Sequence, residues 1–552
     1  MIQSLRDRVL DWIEGDPDIE DRETLQRLLD SGDEEELHRR FDTPLTFGTA
    51  GLRGPVMAGP AGMNRYTVRR ATQGVIAWLE EIEVDADRGV VVGRDARVGS
   101  EAFNNEVVAV LLGAGVKVLE MPGPLPTPLV AYCVKKLGAA AGIMVTASHN
   151  PPHDNGYKLY SSDGSQIIPP NDEIVERFAN SAGIPELGER SSNHHRWISH
   201  DLLDEYRGHL TQRFAVAGGS DVALTYTPLH GVGGALMMTL FAESGYSSVT
   251  PVMAQFEPDG VFPTLAFPNP EEPGALDLAM ARADEVGSCL VIANDPDADR
   301  MGAAVRDDDG WHVLRGDQIG WLLASSMLPE MRDPRDVVAT TIVSSTLLRE
   351  MARDAGVTFA MTLTGFKWLA RAAGDGVLRF GYEEALGFAV DPEVADKDGL
   401  SAALALARLA DDLARQDQTL MDRLDEIETR FGVHAVFQLS LRVEGPAGLS
   451  AIVDAVQSLR DRPPAALGGL AVSEHFDLTD GYEGLGPTDG VLLRIGEAGR
   501  VVVRPSGTEP KLKAYIEITS PPSGATPLAE QRRRAGALVE AVRDDLQSLL
   551  RL

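Results

Sequence analysis

Apolar residues recur with two different spacings along this chain. In the first forty residues the spacing is helical. Leu5, Val9, Trp12 and Ile13 fall on one side of residues 2–14, and a second amphipathic helix is expected over 21–41. From residue 41 short apolar runs rich in Val and Ile stop abruptly at Gly or polar loops, and helical patterns follow. The clearest are Gly89 to Val92 before GRDARVGS, Gly142 to Val145 before TASHNPP, Leu290 to Ile292 before ANDPDADR, and Val337 to Ala339 before TTIVSST. Runs bounded in this way suit buried parallel strands, and their alternation with helices predicts α/β domains. Ligands in such sheets bind beyond the carboxyl ends of the strands, which is where these polar clusters lie.

Breaks in the pattern predict four domains, at 1–214, 215–328, 329–442 and 443–552. Their markers are the polar stretch 186–200, the Gly218-Gly219-Ser220 linker, Pro329 to Pro334, and Gly445 to Gly448. After the last break the texture is strand-rich and closes in a helix over 527–552. At about 150 residues per domain, a length of 552 fits that division.

Composition narrows the function. Lys and Arg number 51 against 83 Asp and Glu, a net charge of −32, which argues against broad binding to nucleic acid or an anionic membrane. Two cysteines, Cys133 and Cys289, exclude a zinc site built from cysteine. The N-terminal residues are charged throughout, without a signal-peptide pattern, and no run reaches the roughly 18 apolar residues of a membrane span, so a cytoplasmic protein is expected. Lysine occurs only eight times, and Lys158, Lys367, Lys397 and Lys511 fall in motifs.

Three motifs carry candidate chemistry. In Thr146-Ala147-Ser148-His149-Asn150-Pro151-Pro152 a serine sits in a polar turn after a strand, a candidate nucleophile; the plainer reading is a turn that only satisfies its own backbone. A serine hydrolase is disfavoured, because there is no G-x-S-x-G elbow and an adjacent His149 points away from Ser148 in extended chain. In Asn294-Asp295-Pro296-Asp297-Ala298-Asp299-Arg300 three carboxylates at i, i+2 and i+4 can converge on one hard cation, Mg²⁺ where phosphate is handled; otherwise the loop is a solvated acidic turn. An EF-hand fails, since the twelfth position from Asp295 is Arg306. In Arg504-Pro505-Ser506-Gly507-Thr508-Glu509-Pro510-Lys511 a guanidinium fork, two hydroxyls and a glycine make a phosphate cradle, or else a simple turn between strands. No Gly-Lys dipeptide occurs, so there is no Walker A loop. Weaker signals are Thr364-Gly365-Phe366-Lys367, the loop Gly381 to Gly387 with Glu383 and Glu384, and the Gly-rich Thr46 to Gly54 containing Arg53.

In chain order TFGTAGLRG, TASHNPP, DPDADR, GYEEALG and RPSGTEPK resemble the α-D-phosphohexomutase superfamily, over roughly residues 41 to 519. The resemblance implies an α/β fold of four domains around a central cleft, three with mixed α/β sheets and a smaller C-terminal α+β domain. It implies that Ser148 carries the catalytic phosphoryl group and that Asp295, Asp297 and Asp299, with Ser148, hold Mg²⁺. Arg53, His149 and Lys158 match positions near the transferring phosphoryl, Arg300 neighbours the metal, and Lys367 lies near the sugar. Glu383 matches a sugar-hydroxyl ligand. Arg504, Ser506, Gly507, Thr508 and Lys511 match the grip on the non-reacting phosphate.

The implied activity is interconversion of a hexose 1-phosphate and 6-phosphate, glucose first and mannose second, through a phosphoserine and a bisphosphorylated sugar that also serves as primer. Lys158 is the first candidate for the base and Lys367 the second. The implied partners are small sugar phosphates, with neither nucleic acid nor membrane, in a monomer or homodimer. One departure is Ala385, where hexomutases carry Ser; TGFKW, YEEALGF and DKDG resemble the phosphopentomutase-like bacterial branch. A haloacid-dehalogenase-like phosphohydrolase would use Asp295 as nucleophile, but its Thr or Val cue is here Asp299. A non-catalytic sugar-phosphate sensor need not keep Ser148 and all three Asp.

Overall fold

The computed structural model describes residues 4–47, 51–443, 445–497, 499–506 and 511–550. It forms two compact units, Met1–Val313 with Gly387–Asp411, and Leu314–Leu386 with Asp412–Leu552.

The first unit opens with helices Leu5–Gly15, Ile19–Ser31 and Glu34–Phe41, whose apolar sides bury Val9, Trp12, Leu25, Leu37 and Phe41 together. The single helix expected over 21–41 is therefore two. Gly32 at φ +69° ends one in the left-handed conformation that glycine adopts without steric cost, and Asp33 caps the next by accepting the N–H of Glu36.

The first sheet has six strands: β1 (Leu52–Pro55), β2 (Val90–Arg94), β3 (Val118–Pro124), β4 (Ala141–Val145), β5 (Asp154–Ser161) and β6 (His195–Trp197), in the order β1-β5-β4-β2-β3-β6. The β4-β2-β3-β6 run is parallel, and β5 and β1 continue it antiparallel. Helices Arg65–Glu81 and Ser100–Gly113 cover one face, where Val75, Trp78, Val107 and Leu111 meet Val90, Val92, Ile143 and Val145. Helix Thr127–Leu137 lies so close on the other that a Cβ at Gly142 would stand 2.5 Å from the Val134 side chain.

The second sheet joins β7 (Leu224–Thr227), β8 (Val249–Pro251), β9 (Leu290–Asn294), β10 (Met301–Asp307) and β11 (Gly310–Leu314), in the order β11-β10-β9-β7-β8. Strands β8, β7 and β9 are parallel, and β10 turns back antiparallel along β9. The short β15 (Gly387–Ala389) also belongs to this unit, and its Gly387 bridges Arg300. Thr146 follows the carboxyl end of β4 and Asp295 that of β9, so both polar motifs sit where α/β sheets present ligand sites.

The second unit contains parallel strands β12 (Asp336–Thr341), β13 (Thr358–Thr362) and β14 (Val377–Glu383), in the order β13-β12-β14. Its antiparallel sheet comprises β16 (Val433–Arg442), β17 (Ala466–Leu467), β18 (Leu470–Asp477), β19 (Val491–Ile495), β20 (Gly499–Pro505) and β21 (Lys511–Ser520), ordered β16-β21-β20-β19-β18-β17. Alternation in β19 and β20 sorts the side chains. Val491, Leu493, Val501 and Val503 pack with Val456, Leu459, Val539 and Val542 of helices Gly445–Asp461 and Leu528–Leu550. Leu492 and Val502 face the other way, onto Ile342 and Val343 just beyond β12.

A buried polar network ties the same two sheets. Glu517 of β21 accepts hydrogen bonds from the Ser345 hydroxyl at 2.7 Å, the Thr346 N–H at 2.9 Å and Arg500 Nε at 2.7 Å, with His434 Nδ1 at 2.9 Å. Nearby, Asp317 Oδ1 accepts the Ser345 N–H at 2.7 Å and the Tyr382 hydroxyl at 2.9 Å. Burial pushes the Asp317 carboxyl up to about 7, against the pull of those two donors. Above the ordinary aspartate range the unfolded chain has released this proton while the folded chain still holds it. Stability from this group is complete at low pH and is lost as pH rises toward neutrality. Asp317→Asn keeps an oxygen for both donors, so it is expected to remove a fall on the order of a few kcal/mol in unfolding free energy between about pH 4 and 7. Paired denaturation curves across that range check this; parallel curves for the two proteins would contradict it.

Candidate active site

Ser148 has φ +52°, a left-handed conformation that costs a residue with a Cβ and that persists where surroundings enforce it. Its N–H donates to the Thr146 hydroxyl at 2.9 Å, and that hydroxyl donates to Asp95 Oδ2 at 2.6 Å. The Ser148 hydroxyl donates to Asp295 Oδ2 at 2.7 Å. His149 Nδ1 stands 3.2 Å from Ser148 Oγ, contrary to the expectation that the two side chains diverge. Divergence holds for extended chain; the positive φ folds the turn and brings neighbouring side chains to one side.

The aspartate loop begins where β9 ends. Ala298 at φ +56° turns it, and the Arg300 N–H donates to Asp295 Oδ1 at 3.0 Å. Gly231 allows a second loop to lie against it: a Cβ there would stand 2.4 Å from Pro296 Cα. Carboxylate oxygens of Asp295, Asp297 and Asp299 all lie within 4.8 Å of one another, and all three residues are buried.

Cationic and hydroxyl groups close around these carboxylates from distant parts of the chain. Lys158 of β5, itself fully buried, places Nζ 2.7 Å from Asp297 Oδ2 and 2.6 Å from Asp299 Oδ2. Lys397 Nζ is 3.4 Å from Asp299 Oδ2, and Arg300 Nε is 3.9 Å from Asp299 Oδ1. Thr127, at the start of its helix, donates its N–H to the Asp297 carbonyl at 2.9 Å and its hydroxyl to Asp297 Oδ2 at 2.6 Å. Arg53 of β1 reaches to 3.5 Å from Asn150 in the serine turn.

The three acids are pushed apart electrostatically. Burial, with Asp297 and Asp299 adding repulsion, drives the Asp295 carboxyl well above the ordinary range. Burial also opposes ionisation of Asp297 and Asp299, but Lys158, joined by Thr127 at Asp297 and by Lys397 and Arg300 at Asp299, outweighs it and both end below that range. Asp297 Oδ1 and Asp299 Oδ1 are buried and accept no hydrogen bond from the described residues. Orphaned carboxylate oxygens beside a third carboxylate form the donor set of a hard divalent cation, and the residues fit such an ion.

The second unit holds the remaining predicted residues. Lys367 lies in the short helix Phe366–Leu369. Glu383 at the end of β14 accepts the Gly365 N–H at 2.7 Å, and Glu384 accepts the Ser344 hydroxyl at 2.9 Å. Leu386 closes this loop at φ +61°. Arg504 on β20 pairs with Lys513 of β21, and the Ser506 N–H donates to the Lys511 carbonyl at 2.8 Å. Gly507 and Thr508 lie outside the described residues, as do Gly48, Thr49 and Ala50 of the front glycine-rich loop.

Sequence reasoning missed Thr127 and gave no role to the Asp95–Arg97 segment of GRDARVGS. Thr127 carries no local signal, since its partner Asp297 is 170 positions away. Lys397 was legible as a cation from the rarity of lysine, but its approach to Asp299 was not.

A bound divalent cation would relieve the repulsion among the three acids, so Mg²⁺ is expected to raise the thermal midpoint of the wild-type protein. Asp295→Asn should melt near the metal-free wild type, since the carboxyl it replaces is already pushed toward its neutral form by burial and by Asp297 and Asp299, yet gain little from Mg²⁺. Thermal melts of both proteins with EDTA and with Mg²⁺ check this; an equal Mg²⁺ response in the variant would contradict the site.

Four family models match the chain in succession, described as phosphoglucomutase/phosphomannomutase, alpha/beta/alpha domains I, II and III and the C-terminal domain, over residues 44–183, 204–310, 315–431 and 442–535. A "Probable phosphomannomutase" of Haemophilus influenzae is 38% identical over 83% of this chain and 93% of its own length. A "Phosphopentomutase" of Mus musculus is 34% identical over 94% of this chain and 90% of its own. The crystal structure of a phosphoglucomutase/phosphomannomutase family protein from Burkholderia thailandensis shares the fold, with a TM-score of 0.69 at 20% identity over 91% of this chain and 97% of that one. With all four domains matched in order, the chain belongs to the phosphoglucomutase/phosphomannomutase family of the α-D-phosphohexomutase superfamily and is a phosphomutase, an intramolecular phosphotransferase.

Proposed function

We propose that the enzyme interconverts the 1-phosphate and 6-phosphate of a hexose, glucose before mannose, through a phosphorylated Ser148 and a bisphosphorylated sugar. The observation that carries this reading is the Ser148 hydroxyl 2.7 Å from Asp295, the first of three clustered, buried aspartates. In the forward half-reaction a sugar hydroxyl oxygen bonds to the phosphorus on Ser148, the bond from phosphorus to Ser148 Oγ breaks, and the hydroxyl proton passes to a base. The bisphosphorylated sugar then turns and returns its other phosphoryl group to Ser148, so atoms balance over the cycle.

Asp295, Asp297 and Asp299 would hold Mg²⁺, which when bound supplies positive charge against the transferring phosphoryl. Arg53, His149 and Arg300 orient that group in this reading. Lys158 is the base in its neutral form, which its contacts with Asp297 and Asp299 oppose while those carboxylates hold no cation, and Lys367 is the second lysine available for the role. Glu383 binds sugar hydroxyls, and Arg504, Ser506, Gly507, Thr508 and Lys511 grip the phosphate that does not react. A bisphosphorylated sugar primes the cycle by phosphorylating Ser148.

A pentose phosphate is the second reading. Ala385 supports it, because no hydroxyl is offered where hexomutases carry Ser, and so does the similarity to a protein named phosphopentomutase.

Turnover of glucose 1-phosphate, mannose 1-phosphate and ribose 1-phosphate, each with Mg²⁺ and its own bisphosphate primer, separates the readings. The hexoses are expected to exceed ribose 1-phosphate in kcat/KM by at least roughly tenfold, the scale of one or two well-placed contacts; the reverse order would establish the pentose reading. Lys158→Met should lose about 10²–10⁴ in kcat, the usual worth of a positioned proton acceptor. Near-normal turnover would move the role to Lys367.

A further inference from the structure

The serine turn has a feature that phosphoryl transfer does not by itself require: its carbonyls point inward, onto one buried side chain. Arg97 Nη2 donates to the Ser148 carbonyl at 2.6 Å and the Asn150 carbonyl at 2.5 Å. Its Nη1 donates to the Pro151 carbonyl at 2.8 Å and the Asp154 carbonyl at 3.1 Å. The guanidinium therefore gathers four carbonyls spread over seven residues of chain, which a planar five-donor fork can do and a point-like ammonium cannot.

The fork is itself held. Asp95 Oδ2 stands 3.5 Å from Arg97 Nε, and both side chains are 1% exposed. Asp95 also accepts the Arg97 N–H at 3.0 Å, the Ser100 hydroxyl at 2.5 Å and the Thr146 hydroxyl at 2.6 Å, so one carboxylate fixes both the arginine and the entry to the turn. The centre of the Phe262 ring lies 4.8 Å from the guanidinium carbon, and Gly260 bridges Arg97. The register places these groups together, because Arg94 pairs with Val145 and the carboxyl ends of β2 and β4 are adjacent.

We propose that Arg97 is a positioning residue for phosphoryl transfer. By drawing the carbonyls of 148, 150, 151 and 154 onto one fork, it enforces the left-handed Ser148 and aims Oγ at Asp295. It touches no reacting atom. It sets the geometry that the reacting atoms inherit, where displacements of about 1 Å cost about 10²-fold in rate.

This inference rests on the reading that Ser148 accepts the phosphoryl group, and the test keeps the two apart. Single-turnover phosphorylation by glucose 1,6-bisphosphate is followed in wild type, Arg97→Lys and Ser148→Ala. The amplitude counts competent molecules and the rate reports positioning. For Arg97→Lys the rate and kcat are expected to fall by roughly 10- to 100-fold, with amplitude preserved and KM within about threefold, because one ammonium cannot span four carbonyls. A wild-type rate in Arg97→Lys, or a loss confined to amplitude, would overturn the proposal while Ser148→Ala stays inactive. Phosphorylation surviving in Ser148→Ala would instead overturn the underlying reading, and this inference with it. Should Arg97→Lys not fold, Asp95→Asn preserves shape while removing the charge beside the fork and turning one of its two accepting oxygens into an amide donor. It must then show the slowed rate at full amplitude, and a wild-type rate there would equally overturn the proposal.

Discussion

Three carboxylates buried within 4.8 Å of one another constrain the first unit more than any other feature. At an effective dielectric near 20, each like-charged pair about 5 Å apart repels by about 3 kcal/mol. A fold containing such a cluster must bring compensating groups to it. Here they come from four places: Lys158 on β5, Lys397 of the DKDG segment, Thr127 at a helix start, and Arg300 from the loop itself. Lys158 and Thr127 lie within the span of family domain I and the aspartates within domain II, so the group that would hold the metal also joins the two domains. The Ser148 hydroxyl is drawn into the same cluster through Asp295, which places the proposed nucleophile beside the charge that phosphoryl transfer would need.

What could be read beforehand divides along a physical line. Strands ahead of the motifs were legible because a strand buried on both faces must be continuously apolar and must end where polar chemistry begins, as β4 does at Val145 and β9 at Asn294. The aspartate triad was legible because spacing within one loop decides whether three carboxylates can converge. Gly32 was visible in the sequence but was not taken as a helix stop, so two helices were expected as one. His149 was misplaced because alternation was assumed for a turn that the positive φ of Ser148 folds. Thr127 and Arg97 were out of reach, since their partners lie about 170 and about 50 positions away and neither shows a pattern that a window of neighbours can display.

The second unit follows a different logic. The antiparallel sheet that carries Arg504 is apolar on both faces, and alternation in β19 and β20 assigns one face to two helices and the other to Ile342 and Val343. Glu517 and Arg500 add a polar lock, with Arg500 Nη1 donating to the Ile342 carbonyl at 2.9 Å. Residues 344 and 345 lie between this lock and the loop after β14: Ser345 binds Glu517 and Ser344 binds Glu384. The strand that bears Arg504 and the loop that bears Glu383 are thereby set by one connected network.

The central claim is that a serine hydroxyl, not a carboxylate, carries the phosphoryl group. The most direct measurement is peptide mapping by mass spectrometry of protein treated with a bisphosphorylated hexose, before and after acid treatment. The account predicts a single acid-stable phosphate on Ser148. An acid-labile acyl phosphate on Asp295, or phosphate on another residue, would contradict it.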